Sequence, residues 1–389
     1  MLRVLTLSSL FPDASRPNFG VFVERQTLGL AAHPDVALTV VAPIGVPPWP
    51  LDRHPHYRAL AGLPEREEWK GVEVLRPRFT VLPGTGGRFH AAALRRAVRR
   101  AIPARAFDVI DASFFFPDGP AAVALGRELG IPVSIKARGA DIHHWGHARA
   151  TARQVRAAGL AADGLLAVSQ AMARDMAAIG IPAEKVRVHR TGVDLARFAP
   201  VDRAAAKAAL GVNGPLVVSV GALIPRKGHD IVIDAVARLD GVSLLIAGEG
   251  AARGALEAQI ARAGLGRRVR LLGSVPHGEL PALIAAADVM ALASSSEGLA
   301  NAWVEALSCG TPIVISPAGG AREVVTAPEA GRVAPREAGA FAAAIGELLA
   351  TPPSAEAVRA HALGFTWDAN TAALYAHLAG LVAARQAIG

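Results

Sequence analysis

Leu216-Val-Val-Ser-Val220-Gly221-Ala-Leu-Ile-Pro-Arg226-Lys227-Gly228 runs directly into a helix rich in Val, Ile and Ala that starts near His229. The stretch reads as a buried strand, a glycine loop and a helix. That is the unit from which parallel sheets are built. Gly221 at the strand end lets backbone approach a ligand, the helix start offers amides with no helical acceptor, and Arg226 and Lys227 add positive charge. Together these features suit a diphosphate. Taken alone, they also describe a glycine turn beside two solvated basic residues.

Outward from this unit the same rhythm fills the chain. In the first half the expected strands are Arg3 to Leu7, Ala37 to Val41, Val72 to Arg76, Asp108 to Asp111, Pro132 to Lys136, Gly164 to Val168 and Val186 to His189. In the second half they are Leu216 to Val220, Ser243 to Ala247, Val269 to Leu272, Val289 to Leu292 and Pro312 to Ile315, with alanine-rich helices between. Each half therefore reads as a doubly wound α/β domain, in agreement with a length of 389 residues, which exceeds what one core usually organises. The proline-bearing stretch Phe198-Ala-Pro-Val-Asp202 places the seam near residue 200, giving domains over 1–199 and 200–364. The helix expected from Trp367 to about Arg385, within a tail over 365–389, has no following strand and is expected to return across the first domain. Segment 44–70 breaks the rhythm with five prolines and two tryptophans, so a long loop or an acceptor-side insertion is expected there.

Composition narrows the classes. Apolar residues make up 52% of the chain, yet no run reaches the roughly 18 uncharged apolar residues of a membrane-spanning helix. The opening Met1-Leu-Arg-Val-Leu-Thr-Leu reads as a first strand rather than a secretory signal, so a cytoplasmic location is expected. The single cysteine, Cys309, rules out an internal disulfide and suits inert packing at a helix end. Net charge is +8, and it is unevenly placed: residues 1–199 hold 26 Lys and Arg against 17 Asp and Glu, whereas residues 200–364 hold 14 against 15. Such asymmetry points to an anionic partner for the first half or to arginines on solvated faces.

A second chemical signal is Glu297-Gly-Leu-Ala-Asn-Ala-Trp-Val-Glu305, after the strand at Val289 to Leu292. Glu297 precedes the expected helix and Glu305 lies about two turns inside it, where both carboxylates can accept from hydroxyls. The backbone amides of Leu299, Ala300 and Asn301, behind Gly298, would face an anion. Two glutamates at this spacing are otherwise ordinary solvated helix residues.

These signals, with Ala247-Gly-Glu-Gly250, Leu272-Gly-Ser-Val275 and Ser316-Pro-Ala-Gly-Gly-Ala-Arg-Glu323, resemble glycosyltransferase family 4, whose hallmark is two glutamates separated by seven residues. The resemblance extends through Phe11-Pro-Asp, Gly20-Val-Phe-Val-Glu-Arg-Gln26, Lys136-Ala-Arg-Gly-Ala-Asp-Ile142, Val168-Ser169 and Arg190-Thr-Gly-Val-Asp194. It implies the GT-B architecture: two Rossmann-like, doubly wound parallel-sheet domains facing a central cleft. It further implies a nucleoside diphosphate sugar, a UDP-sugar, as donor, transferred with retention of configuration and without a bound metal. Arg226, Lys227 and Glu297 would serve catalysis. Gly221, Val275, Gly298, Leu299, Ala300, Asn301 and Glu305 would hold the donor, with Glu305 on the ribose hydroxyls and Glu297 on the sugar.

Three departures from the family pattern stand out. Ala222 occupies a position that is often Arg, Thr191 a position that is often Asn, and Arg138 the position of a His near the reacting centre. Gly20, Arg138 and Asp141 are therefore cleft candidates without an assigned role, and His143, His144 and His147 follow closely. The helix Phe89 to Ile102, with Arg95, Arg96, Arg99 and Arg100, suggests docking on anionic lipid, and with it a lipid-linked or surface-polysaccharide acceptor. Among rival classes, an epimerase or another GT-B enzyme without a glycan acceptor would use the same donor site. A dinucleotide fingerprint at Gly248-Glu-Gly250 fails because Arg253 stands where a third glycine belongs. No aromatic-interleaved basic stripe supports nucleic acid as a partner.

Overall fold

The computed structural model describes residues 1–17, 19–103 and 106–387. It divides into two compact units, Met1–Gly192 with Trp367–Gly389, and Val193–Thr366. In the first unit the strands are β1 Leu2–Leu7, β2 Val36–Val41, β3 Ile44–Val46, β4 Arg66–Trp69, β5 Val72–Leu75, β6 Arg78–Thr80, β7 Val109–Ala112, β8 Val133–Ala137, β9 Gly164–Ala167 and β10 Val186–Val188. Eight of them form one sheet in the order β10-β9-β8-β7-β1-β2-β5-β4. All its pairings are parallel except that of β4 with β5. Every residue of β7, β8 and β9 is buried, as expected of strands covered by helices on both faces.

In the second unit β11 Leu216–Val220, β12 Ser243–Ala247, β13 Val269–Gly273, β14 Val289–Leu292, β15 Ile313–Ile315 and β16 Gly331–Val333 form a parallel sheet. Its order is β13-β12-β11-β14-β15-β16, the doubly wound arrangement whose direction reverses between β11 and β14. The helix His229–Val236 covers one face with the helix Ala338–Ala350, burying Val232, Val236, Phe341 and Ile345 against Val217 and Ile246.

Several expectations need correction. Segment 44–70 is not a long loop: it holds β3, the helix Pro55–Ala61 and β4. β3 pairs with β6 and β4 with β5, so alternation too short to read in isolation is completed by partners elsewhere in the chain. Pro47, Pro48 and Pro50 are confined to the turn between β3 and that helix. β16 was also not foreseen. The seam lies at 192/193 rather than near 200, because residues 193–198 are anchored in the second unit. There the Val193 amide donates to Phe365 O, the Arg359 guanidinium donates to the carbonyls of Leu195 and Phe198, and Phe198 is buried.

The C-terminal helix, Trp367–Gln386, belongs to the first unit and packs on the helix Val21–Ala31, with Leu374 and Leu378 buried beside Val4, Leu30 and Val109. Residues 388 and 389 of the expected tail lie outside the described residues. Among the described residues no helix is long and apolar enough to cross a membrane. Polar contacts also hold the C-terminal helix: Asn370 Nδ2 donates to Arg190 O at 2.6 Å, and His189 Nε2 meets Asn370 O at 2.8 Å. Asn370→Ala should therefore lower the unfolding midpoint in urea, at a cost of about 0.5–1.5 kcal/mol for the lost hydrogen bond.

Candidate functional site

In an open parallel sheet, loops leaving two strands that wind in opposite directions open a crevice at their carboxyl ends. The loops after β11 and β14 are such a pair, and they carry most of the expected donor residues. They are joined where the Ser295 amide donates to Arg226 O at 2.8 Å. Beneath them the backbone is packed so closely that side chains are excluded. A Cβ on Gly248, which has φ near +151°, would stand 1.9 Å from Gly221 O. Leu223 N donates to Glu249 O at 2.8 Å in the same contact. The Gly248-Glu-Gly250 motif thus supports the first loop from below.

Lys227 and Glu297 meet directly at this crevice, with Nζ 2.5 Å from Oε1 and the side chains only 15% and 9% exposed. Ser294 Oγ donates to the same carboxylate oxygen at 2.7 Å. Arg226 is more open, with NH1 donating to Ser296 O at 2.5 Å and lying 3.7 Å from Glu297 Oε2. One carboxylate therefore gathers two cations and a hydroxyl from both loops.

Three further residues complete the arrangement, and none was foreseen. Arg336 braces the loops from behind, with Nε donating to Ala293 O at 2.8 Å and NH2 to Pro225 O at 3.0 Å. His229 Nε2 lies 3.2 Å from Gly221 O and its Nδ1 3.0 Å from Ser219 Oγ, which makes Nε2 the donor and Nδ1 the acceptor. Burial pushes the His229 pKa down to about 4, so the ring is neutral near pH 7. His277 Nε2 lies 2.8 Å from Glu305 Oε1, and the His277 ring packs on Phe198 with centroids 5.5 Å apart.

The helix expected after Gly298 starts at Asn301 and ends at Ser308. Glu305 is accordingly one turn inside it rather than two, buried and facing His277. Leu299 and Ala300 precede the helix, with Ala300 as its N-cap, so they lead a chain of amides toward the helix start. Gly298 is fixed through its carbonyl, which accepts from the Gly320 amide at 2.8 Å. Val275 is half-buried after β13, in the loop that carries His277.

Gly20, Arg138 and Asp141 lie in the first unit. Gly20 is the left-handed residue before the helix Val21–Ala31, and a Cβ there would stand 1.6 Å from Leu10 O, so its role is close backbone approach. Arg138 donates from Nε to Ser113 O at 2.6 Å and from NH2 to Gln26 Oε1 at 3.1 Å. Burial lowers its pKa to about 10, which leaves it a cation near neutral pH and unable to act there as a base. Asp141 accepts from the amides of Phe115, Arg138 and Gly139 at 2.7–3.1 Å and so shapes the loop that presents Arg138. His143 pairs with Asp175, and His144 packs edge-on against Trp145.

Beneath Arg138, Lys136 is fully buried, with Nζ 2.7 Å from Gln26 Oε1 and 2.9 Å from His189 Nδ1. Desolvation drives its pKa well below the ordinary lysine value. Asp118 accepts from the Ser9 amide at 2.8 Å, and burial raises its carboxyl to about 7.

Two predictions follow from this geometry. Gly248→Ala should displace the Gly221–Gly228 loop and destabilise the second unit, read as an earlier unfolding transition. For Asp118, whose folded pKa exceeds its unfolded value, the stabilising contribution is present below about pH 4 and is lost as pH rises through about 7. Asp118→Asn retains an acceptor for Ser9, so its stability relative to the natural chain should rise between pH 4 and 8, by on the order of 1 kcal/mol or more.

Comparison with known proteins bears on the family and the fold. Residues 201–363 match the family model described as Glycosyl transferases group 1, and residues 29–197 match that of Glycosyltransferase Family 4. D-inositol 3-phosphate glycosyltransferases of Mycobacterium bovis and Mycobacterium tuberculosis are 37% identical over 243 residues, 59% of this chain and 49% of theirs. The match thus spans about half the length of those curated relatives. Sucrose-phosphate synthase from Thermosynechococcus elongatus superposes with a TM-score of 0.84 at 21% identity, covering 99% of this chain and 100% of that one. Anabaena HepE, solved with UDP and glucose, gives 0.76 at 23% identity, covering 97% and 100%. Both structural likenesses bear on the fold. With the two family models falling one on each half of a doubly wound pair, the chain belongs to glycosyltransferase family 4, an enzyme family of GT-B architecture.

Proposed function

We propose that the chain transfers a sugar from a UDP-sugar to a hydroxyl acceptor with retention of anomeric configuration, and that no bound metal is needed. The observation that carries this reading is the meeting of Arg226 and Lys227 with Glu297, four residues before the helix start at Asn301, at the switch point of the second sheet. Anabaena HepE, of the same fold, has been solved with UDP-glucose, which supports a nucleoside diphosphate sugar as donor.

In this reading the bond between the anomeric carbon and the diphosphate oxygen breaks, and its electron pair passes to the phosphate. Arg226, Lys227 and the helix-start amides stabilise that growing charge more than they stabilise the intact donor. Lys227 spends one of its three N–H donors on Glu297, which leaves two for phosphate oxygens. The acceptor oxygen bonds to the anomeric carbon on the face the leaving group vacates, and its proton passes to a leaving phosphate oxygen. Glu297 is assigned to the donor sugar. Glu305 is assigned to the ribose hydroxyls, with His277 orienting its carboxylate. The acceptor is assigned to the first unit, as a lipid-linked or surface-polysaccharide glycan. The basic surface of that unit would contact the anionic cytoplasmic face of a membrane.

Calorimetry with UDP, GDP and their sugars, without added metal, tests the donor site. Micromolar binding should be seen, and Lys227→Ala and Glu305→Ala should each weaken it at least about tenfold, with Lys227→Ala lowering the transfer rate on the order of 10². Absence of binding by every nucleotide would overturn the assignment.

A further inference from the structure

The second unit has another concavity, at the opposite ends of its strands from the crevice of Lys227 and Glu297. It is a cavity of about 650 Å³ beside the starts of β11 and β14, where Pro215 precedes Leu216 and Asp288 precedes Val289. One wall is the helix Arg203–Ala209, which presents Arg203, Ala204, Lys207 and Ala208, residues spaced to share one helix face. Another is the last turn of the helix Ala338–Ala350, with Leu348 and Leu349. Ala204 and Ala208 end at Cβ, so the space before them stays open where a longer side chain would fill it.

The fold does not use up the charges of this cavity. Lys207 Nζ donates to Asp288 Oδ2 at 2.5 Å and keeps two of its three N–H donors. Arg203 gives NH2 to Gly310 O at 3.0 Å, while its Nε is buried with no hydrogen-bond partner among the described residues. A buried nitrogen of this kind usually has an acceptor, and leaving it without one is costly. With Arg203 and Lys207 facing Asp288 alone, the lining carries one positive charge in excess. Much of the rest is apolar, contributed by Val212, Pro215, Leu348, Leu349 and Pro352.

We propose that this cavity binds a small organic monocarboxylate, its carboxylate on Arg203 and Lys207 and its apolar body against Val212, Leu348 and Leu349. A single excess charge suits a carboxylate better than a phosphate dianion, and the planar guanidinium matches two carboxylate oxygens. The volume and the apolar walls exceed what a bare inorganic ion needs. Neither the cavity nor its charges depend on the glycosyltransferase reading. An occupant would nevertheless touch residues that support the donor crevice from the far side of the sheet. Asp288 accepts from the Leu216 amide at 2.7 Å as well as from Lys207, which joins the starts of the two strands whose following loops carry Lys227 and Glu297. Gly310, held by Arg203, follows the helix Asn301–Ser308 that carries Glu305.

Methyl NMR of the full chain, labelled at alanine and leucine, tests the proposal with hexanoate as the probe. Hexanoate should shift the methyls of Ala204, Ala208, Leu348 and Leu349, with a Kd of about a millimolar or tighter. Acetate, which lacks the apolar body, and 1-hexanol, which lacks the charge, should each bind at least about tenfold more weakly. Arg203→Gln should weaken hexanoate at least about tenfold. Ala208→Phe, at an exposed position, should block the cavity and leave the unfolding midpoint in urea where it was. No shift at the four methyls, 1-hexanol binding as well as hexanoate, or undiminished hexanoate binding by the folded Ala208→Phe chain would overturn the proposal. UDP titrated into a separate sample reports on the donor crevice alone, so its failure would strike the glycosyltransferase reading and leave this cavity standing.

Discussion

The ion pair between Lys227 and Glu297 is the contact on which the second unit's crevice depends. It joins the loops of two strands that are adjacent in the sheet but separated by about seventy residues of chain, and it does so in a place with little water. Such a pair contributes little net stability, since desolvation offsets much of the attraction. What it supplies is placement. Glu297 holds Lys227 at the strand ends, Ser294 holds Glu297, and Arg336 holds the carbonyls of both loops. A cation fixed before the ligand arrives needs no reorganisation when charge develops, which is the condition under which electrostatic stabilisation is worth most.

The first unit solves a different problem with the same materials. Its switch point lies between β7 and β1, and the residues around it include buried charges that water does not screen. Lys136, Gln26 and His189 satisfy one another. Because His189 gives its Nε2 proton to the Asn370 carbonyl, its Nδ1 is left to accept from Lys136. The C-terminal helix is thereby wired into the support of Arg138, whose other contact is the same Gln26. Thr6 Oγ1, Gln26 Nε2 and Asp118 Oδ1 have no hydrogen-bond partner among the described residues, in a region where buried polar atoms usually find one.

Much of this was legible in the sequence wherever the physics is local. The βα unit around Gly221 and the strand that leads to Glu297 are written in short apolar runs and glycine spacing, and eleven-residue neighbourhoods suffice to read them. The short strands β3, β4 and β6 were not legible because each exists only through its partner. The seam at 192/193 was hidden for the same reason, since Phe198 belongs with His277 and Arg359 rather than with its neighbours in sequence. His277, His229 and Arg336 escaped notice because a histidine or arginine carries no local mark of what it will face. Their contacts to Glu305, Gly221 and Ala293 appear only once the sheet has closed. Spacing from Gly298 places Glu305 about two turns into a helix, whereas the helix begins at Asn301 and leaves Glu305 one turn inside it.

The central claim is that the switch point of the second sheet receives the diphosphate of the donor. Amide hydrogen exchange with and without UDP measures this at the residues concerned. The account predicts slowed exchange in Gly221–Gly228 and in Leu299–Asn301, where amides would meet phosphate oxygens, and no comparable change around Trp49 or Phe89. Unchanged exchange in both of those segments under saturating UDP, or protection confined to the first unit, would contradict it.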